Sequence, residues 1–258
     1  MADAHGRRTP MNHCIDVQPR RPTTGKLIPL ELISFGLIHG RLASGVLVAM
    51  LLTGAAQAAD EPAPFAWSSQ TLAVIASGDA ERGRAVAEDR RCSKCHGEAG
   101  IAEDDETPSI AGQRAAYNFK QMIDYRTEVR ESRDMKKATR RLSVQDMADL
   151  AAYFETLPPE PAAVTDDPPL LVTRGDLDRL LLPCDVCHGK QGEGLGFEVP
   201  AISGQKVDHF VELMQAFKTG ERQNDEYARM RFISSQLTDD EIIELAAWYA
   251  APRSEEGE

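Results

Sequence analysis

Apolar residues recur at three- and four-residue spacing between residues 78 and 252. No stretch of useful length alternates apolar with polar, so the pattern predicts helices throughout. A first helix is predicted at 79–95, a middle one carries Tyr117, Met122 and Tyr125, and a last one presents Leu150, Tyr153 and Phe154 to an interior. The set returns at 174–187, at Phe210, Met214 and Phe217, and at Leu245, Trp248 and Tyr249. Each last helix opens with a hydroxyl three residues ahead of an acid, Ser143 before Asp146 and Thr238 before Glu241, the pattern of a capping box.

The recurrence is a tandem repeat. A shift of 92 residues lays Gly83 on Gly175, Gly97 on Gly189, Pro108 on Pro200, Ile110 on Ile202 and Gly112-Gln113 on Gly204-Gln205. Past a three-residue insertion in the second copy, a shift of 95 lays Met135 on Met230 and Leu150 on Leu245. The predicted fold is all-α, with two tandem domains at 78–157 and 171–252. Residues 158–170 are Pro-rich and acidic, cannot continue a helix and read as a semi-rigid linker. Residues 59–77 read as a lead-in with a short helical turn at 70–76. Gly83 and Gly175 are expected where each first helix packs against Tyr153 or Trp248. A domain of about 80 residues is marginal on a hydrophobic core alone, so a bound group is expected at each centre.

Ahead of the repeat, residues 42–56 form an apolar run after Arg41, followed by Ala56 and Ala58 at the positions a signal peptidase reads. Residues 1–58 are expected to be a secretory signal peptide cleaved after Ala58, with the protein exported to the periplasm. The run is shorter than the ~20 apolar residues of a spanning helix, which makes a retained anchor the lesser reading. The long polar stretch before it places the expected translation start downstream of Met1. Residues 1–58 hold six Lys/Arg and three acids, leaving 23 basic and 38 acidic residues, a net −15, in residues 59–258. That balance is unfavourable for nucleic acid and for anionic membrane surfaces. It suits docking on a basic patch of a redox protein, and equally a merely solvated surface.

Four of the five cysteines fall in Cys92-Ser93-Lys94-Cys95-His96 and Cys184-Asp185-Val186-Cys187-His188; the fifth, Cys14, lies in the export segment. Two thiols one helical turn apart can form thioethers to the two vinyl groups of one porphyrin, and the histidine next in sequence can reach the iron. This is the attachment pattern of a c-type haem. Local disulfides or zinc half-sites use CxxC as well but give no reason for the histidine. Two covalently bound haem c groups are therefore expected, on Cys92 and Cys95 and on Cys184 and Cys187, with His96 and His188 as axial ligands.

For the opposite axial position, Met135 and Met230 recur at matching places in what read as polar loops, where a thioether has no packing role. Met122, Met214 and Met147 lie on apolar stripes and read as core. His209 stands opposite Tyr117 and reads as a surface or half-buried histidine. His/Met ligation leaves no open coordination position, raises the reduction potential and suits single-electron transfer. Pro108 and Pro200, each twelve residues after its histidine, could offer the carbonyl that fixes the imidazole, or could simply stiffen a loop.

Two CxxCH units, a Pro-x-Ile-x-Gly-Gln stretch after each, a methionine before each terminal helix and a signal peptide resemble the periplasmic di-haem cytochromes of the cytochrome c4 family. The likeness covers about residues 78–252. It implies two cytochrome c domains, each around one covalent haem, related by a pseudo-twofold with propionates facing each other across the boundary. It also implies electron delivery from a quinol-oxidising complex to a terminal oxidase, with membrane association only through a partner. The first copy departs from the pattern: it is short between Arg126 and Met135 and basic at Arg130, Arg133, Lys136, Lys137, Arg140 and Arg141. There it is similar to the di-haem subunit of flavocytochrome c sulfide dehydrogenases, which would make the partner a flavoprotein dehydrogenase. A di-haem peroxidase is a third, minor reading, since it needs one iron without a permanent sixth ligand. The reading adopted is a carrier without catalytic residues of its own.

Overall fold

The computed structural model describes residues 64–162 and 167–250. The expected export segment with Cys14, part of the linker and the last residues of the chain lie outside them. The described residues are helical, with two isolated bridges in place of strands. Their order is α1 (Ser69–Ala76), α2 (Ala80–Arg90), α3 (Ser93–His96), α4 (Ala115–Arg126), α5 (Arg133–Thr139) and α6 (Val144–Thr156), then α7 (Leu170–Thr173), α8 (Asp185–His188), α9 (Val207–Thr219), α10 (Arg229–Gln236) and α11 (Asp239–Tyr249).

Two hydrophobic cores form with no shared residue. The first gathers Phe119, Ile123, Leu142, Met147, Leu150 and Phe154. The second gathers Val172, Leu181, Phe210, Met214, Ile242, Leu245, Trp248 and Tyr249. Met147 and Met214 are core, as their stripes required. Both capping boxes form: Ser143 and Thr238 accept from the backbone of Asp146 and Glu241, whose carboxylates accept the N–H groups of Ser143 and Thr238 in return. In the first domain α2 lies so close on α6 that a Cβ on Gly83 would fall on the Asp149 carbonyl oxygen and sit 2.7 Å from Tyr153 Cβ. The segment read as a lead-in is part of this domain, since Phe65, Val74 and Ile75 pack on its core.

The first helices differ from expectation. In the first copy α2 stops at Arg90, where Arg91 turns left-handed at φ 56° and the Cys92 N–H returns to the Ala87 carbonyl. In the second copy the helix expected at 174–187 is replaced by the short α7, a 3-10 turn at Leu177–Arg179 and a bridge from Asp176 to Leu181. Three local features account for this. Gly175 takes φ 67°, the Asp176 carboxylate captures the N–H groups of Asp178 and Arg179 that a helix would use, and Pro183 has no N–H to give. Arg179 locks the turn through Asp176 at 2.7 Å and both carboxylate oxygens of Glu241 at 2.8 and 2.9 Å. Gly175 accordingly faces Leu181 and Pro183, not Trp248.

Candidate haem-attachment sites

Each CxxCH unit is a single helical turn. Cys92 and Cys184 stand at the N-cap of α3 and α8, Cys95 and Cys187 lie one turn on, and His96 and His188 are the last helical residues. Gly97 and Gly189, at φ 73° and 83°, then reverse the chain; at Gly97 a Cβ would fall on the Ile101 carbonyl. None of the four cysteines is in a disulfide. Burial pushes the Cys92 thiol up, and burial with the Asp185 charge pushes Cys184 up to about 11.

Both histidines meet the carbonyls that the twelve-residue spacing offered. His96 Nδ1 lies 2.9 Å from the Pro108 oxygen and His188 Nδ1 lies 3.0 Å from the Pro200 oxygen. A carbonyl only accepts, so in each ring Nδ1–H must donate, and the neutral tautomer leaves Nε2 as a bare lone pair. Burial pushes both imidazoles below the usual histidine value, with the carbonyl bond opposing it. At neutral pH both are neutral bases with one nitrogen committed and the other free for a metal.

Met135 and Met230 are half-buried and sit in helices, α5 and α10, where loops were expected. The helix at Met135 is nucleated by the Ser132 hydroxyl, which accepts the Met135 N–H. The one at Met230 comes after two left-handed residues, Tyr227 and Ala228, and is held by Asp225, which takes the Arg231 N–H and guanidinium. Met230 packs on the second core.

Cys184, Trp248 and Tyr249 share the second core, and Trp248 Nε1 and Tyr249 Oη are buried there with no hydrogen-bond partner among the described residues. Two orphaned donors in the core that Cys184 packs against fit an apolar group with polar edges, as a porphyrin is.

Further polar chemistry lies between the two domains. Lys120 and Asp124 on α4 form a buried ion pair. Asn224 closes it, its carbonyl accepting from Lys120 Nζ at 2.7 Å and its amide donating to Asp124 at 2.8 Å and Gln121 at 2.9 Å. Arg222 donates to Asn224 Oδ1 at 2.8 Å and to the Tyr117 hydroxyl at 2.9 Å. Arg130 donates to Gln121 and stacks 4.7 Å from the centre of the Tyr125 ring. Burial alone would raise the Tyr117 phenol, but the two guanidiniums outweigh it and hold it below its usual value. Arg130 is itself pushed down by burial and by Arg222. The basic run at 130–141 thus divides: Arg130 turns into the boundary, Lys136 pairs with Glu128, and Arg133, Lys137, Arg140 and Arg141 stay exposed. Lys120, Arg130 and Arg222 face two carboxylates, Asp124 closely bonded and Glu226 4.0 Å from Lys120 Nζ, so the boundary keeps one positive charge in excess, which fits an acidic group.

His209, expected near the surface, is buried at this boundary. Its Nδ1–H donates to the Glu106 carbonyl at 3.1 Å and its backbone N–H to the Asp105 carbonyl at 3.0 Å. Sequence reasoning missed this cluster because its partners lie about a hundred residues apart; the available signal was the three-residue insertion, which falls in the segment bearing Arg222 and Asn224.

The Cytochrome c family profile matches residues 80–158. A "Thiosulfate dehydrogenase electron acceptor" of Stutzerimonas stutzeri is 30% identical over 83% of this chain and 94% of its own length. The "Cytochrome c4" of Thiocapsa roseopersicina is 32% identical over 66% of this chain and 91% of its own length. This chain belongs to the cytochrome c4-like di-haem cytochromes. The solved structure of reduced recombinant cytochrome c4 from Pseudomonas stutzeri superposes with a TM-score of 0.61 at 27% identity, over 67% of this chain and 98% of that one. The helical architecture is therefore the two-domain cytochrome c fold, and the family is one of electron carriers with covalent haem c.

Proposed function

We propose that the chain binds two haem c groups and works as an exported, periplasmic one-electron carrier. Cys92 and Cys95 would hold one haem, with His96 and Met135 to ligate its iron, and Cys184 and Cys187 the other, with His188 and Met230. The observation that carries the reading is the matched pair of Nδ1-to-carbonyl bonds, 2.9 Å to Pro108 and 3.0 Å to Pro200, directly after each CxxC. Bound haem supplies a one-electron couple between ferric and ferrous iron.

The residues of the chain do the rest. The thiols anchor the porphyrin edge, and the proline carbonyls hold each imidazole in the tautomer with Nε2 free. Tyr249 and Trp248 offer their unpaired donors inside the second site. Arg130 and Arg222 place positive charge at the domain boundary, where they would favour the acidic groups of a bound haem. Met135 and Met230 would supply a soft thioether ligand beside the imidazole nitrogen, which would suit single-electron transfer and leave no site for a substrate.

The test is the haem content of exported protein, expected at two covalent haems per chain by mass and haemochrome absorbance. Met135→His and Met230→His should each keep the haem and markedly lower the potential of that site alone. An unchanged titration of both haems would remove the methionines from the ligand set.

For partners, the relative from S. stutzeri is named as the electron acceptor of a thiosulfate dehydrogenase and matches over nearly its full length. That favours a redox enzyme that holds this chain in stable complex as its electron acceptor, over a role confined to a quinol-oxidising complex and a terminal oxidase. Purification from the native host decides between them: a dehydrogenase that copurifies, flavin-containing or haem-containing, supports the first, and a cytochrome eluting alone supports the second.

A further inference from the structure

The Gly-Gln pair of each copy reaches across the domain boundary. Gln205 Oε1 accepts the Ser109 N–H at 2.9 Å while its Nε2 donates to the Ser109 carbonyl at 3.0 Å. Gln113 does the same in the other direction, accepting the Ala201 N–H at 2.9 Å and donating to the Ala201 carbonyl at 2.8 Å. The four positions are related by the 92-residue shift of the repeat, so the grip is reciprocal. Each glutamine also accepts the N–H of the next residue, Arg114 or Lys206, which fixes the amide orientation at the start of α4 and α9.

The gripped N–H groups are not incidental ones. The Ser109 N–H and the Pro108 carbonyl belong to one peptide unit, planar by resonance, as do the Ala201 N–H and the Pro200 carbonyl. Each of these rigid plates is held on its carbonyl edge by the histidine of its own domain and on its N–H edge by the glutamine of the other. An amide whose N–H is donated becomes a stronger acceptor at its oxygen, because hydrogen bonds in a chain polarise one another.

We infer that Gln205 and Gln113 are positioning residues acting across the domain boundary: Gln205 sets the orientation and electron density of His96, and Gln113 those of His188. Each domain thereby adjusts the reduction potential of the other's haem without touching it. A firmer bond at Nδ1–H gives the imidazole more anionic character and favours ferric iron. Loss of a glutamine therefore raises the potential of the haem in the opposite domain. This rests on the reading of His96 and His188 as iron ligands.

The experiment uses the two-haem protein with Gln205→Leu and Gln113→Leu made singly, the potentials resolved by haem through their separate methyl resonances. For Gln205→Leu the ferrous-to-ferric ratio at the Cys92/Cys95 haem should rise about threefold to tenfold, tenfold being about 59 mV for one electron. The Cys184/Cys187 haem should move by less than half as much. Gln113→Leu should give the mirror result. Exchange of the imidazole N–H should quicken at His96 in the first variant and at His188 in the second, which a grip that merely joined the domains would not produce. If a leucine variant does not fold, Gln205→Asn or Gln113→Asn, one methylene short of the plate, is read instead.

Equal shifts at both haems, a shift confined to the variant's own domain, or no shift overturns the inference. With both glutamines intact, loss of the low-spin spectrum of one haem on His96→Ala or His188→Ala checks ligation separately. A protein that passes that check but shows no crossed shift refutes this inference alone.

Discussion

His209 gives the boundary a sensitivity to acid whose size can be worked out from its surroundings. Burial pushes its imidazole down to about 4, helped by the charge of Arg130, with the Glu106 carbonyl opposing and Arg222 adding a smaller contribution. In the unfolded chain it returns to about 6.5. Because the folded value is the lower one, the unfolded chain takes up the proton first as pH falls. The stability His209 allows is complete above pH 6.5 and is lost progressively between 6.5 and 4. A gap of that width at ~1.4 kcal/mol per unit, with the folded form half protonated at its own pKa, amounts to about 3 kcal/mol at pH 4. His209→Gln keeps a donor for the Glu106 carbonyl and removes the titration. It should match the parent within ~0.5 kcal/mol at pH 7 and exceed it by about 3 kcal/mol at pH 4. Urea unfolding of the haem-loaded protein at pH 7, 5.5 and 4 reads the difference. A gap between parent and variant that does not change with pH would show that His209 is not held neutral by burial.

Three further perturbations separate the forces in the fold. Gly83→Ala drives a methyl into the Asp149 carbonyl and should cost about 1–3 kcal/mol in thermal unfolding, despite a helix-propensity gain of up to ~1 kcal/mol. Asp124→Ala leaves the Lys120 ammonium buried without its carboxylate and should cost about 3–5 kcal/mol by urea unfolding; adding Lys120→Met should recover most of it. Thr238→Ala removes one half of the α11 capping box and should cost about 1 kcal/mol, seen in the same unfolding curves.

What was legible in the sequence was what repeats locally. The CxxCH turns, the capping boxes of α6 and α11, the middle helices and the carbonyls of Pro108 and Pro200 come from spacings under twenty residues, and the second copy served as a control on the first. The helix expected at 174–187 failed because the apolar spacing was carried over from 79–95. Asp176 and Pro183 have no counterpart in Arg84 and Arg91, and they divert the backbone hydrogen bonds. Met135 and Met230 were placed in loops because their neighbours are polar, yet Ser132 and Asp225 supply the caps that let those polar stretches coil. The burial of His209 was invisible for another reason: the other domain closes over it through Asp105 and Glu106, and no periodicity within one copy reports on that.

The boundary uses two kinds of bond, and they do different work. The glutamine grips repeat with the copies, so by themselves they would serve any pair of such domains, including two from separate chains. The ion cluster does not repeat. Lys120 and Asp124 belong to the first copy, Arg222 and Asn224 to the lengthened segment of the second, and the positions exchanged by the 92-residue shift, Glu212 and Ala216, cannot reproduce the pair. The cluster therefore specifies which domain plays which part, as a buried polar set fixes register elsewhere, while the grips bind the histidine loops to that arrangement. Asp124→Ala and Gln205→Leu should then separate the two roles, the first weakening domain docking with both imidazole bonds intact, the second altering one imidazole bond while the domains stay joined.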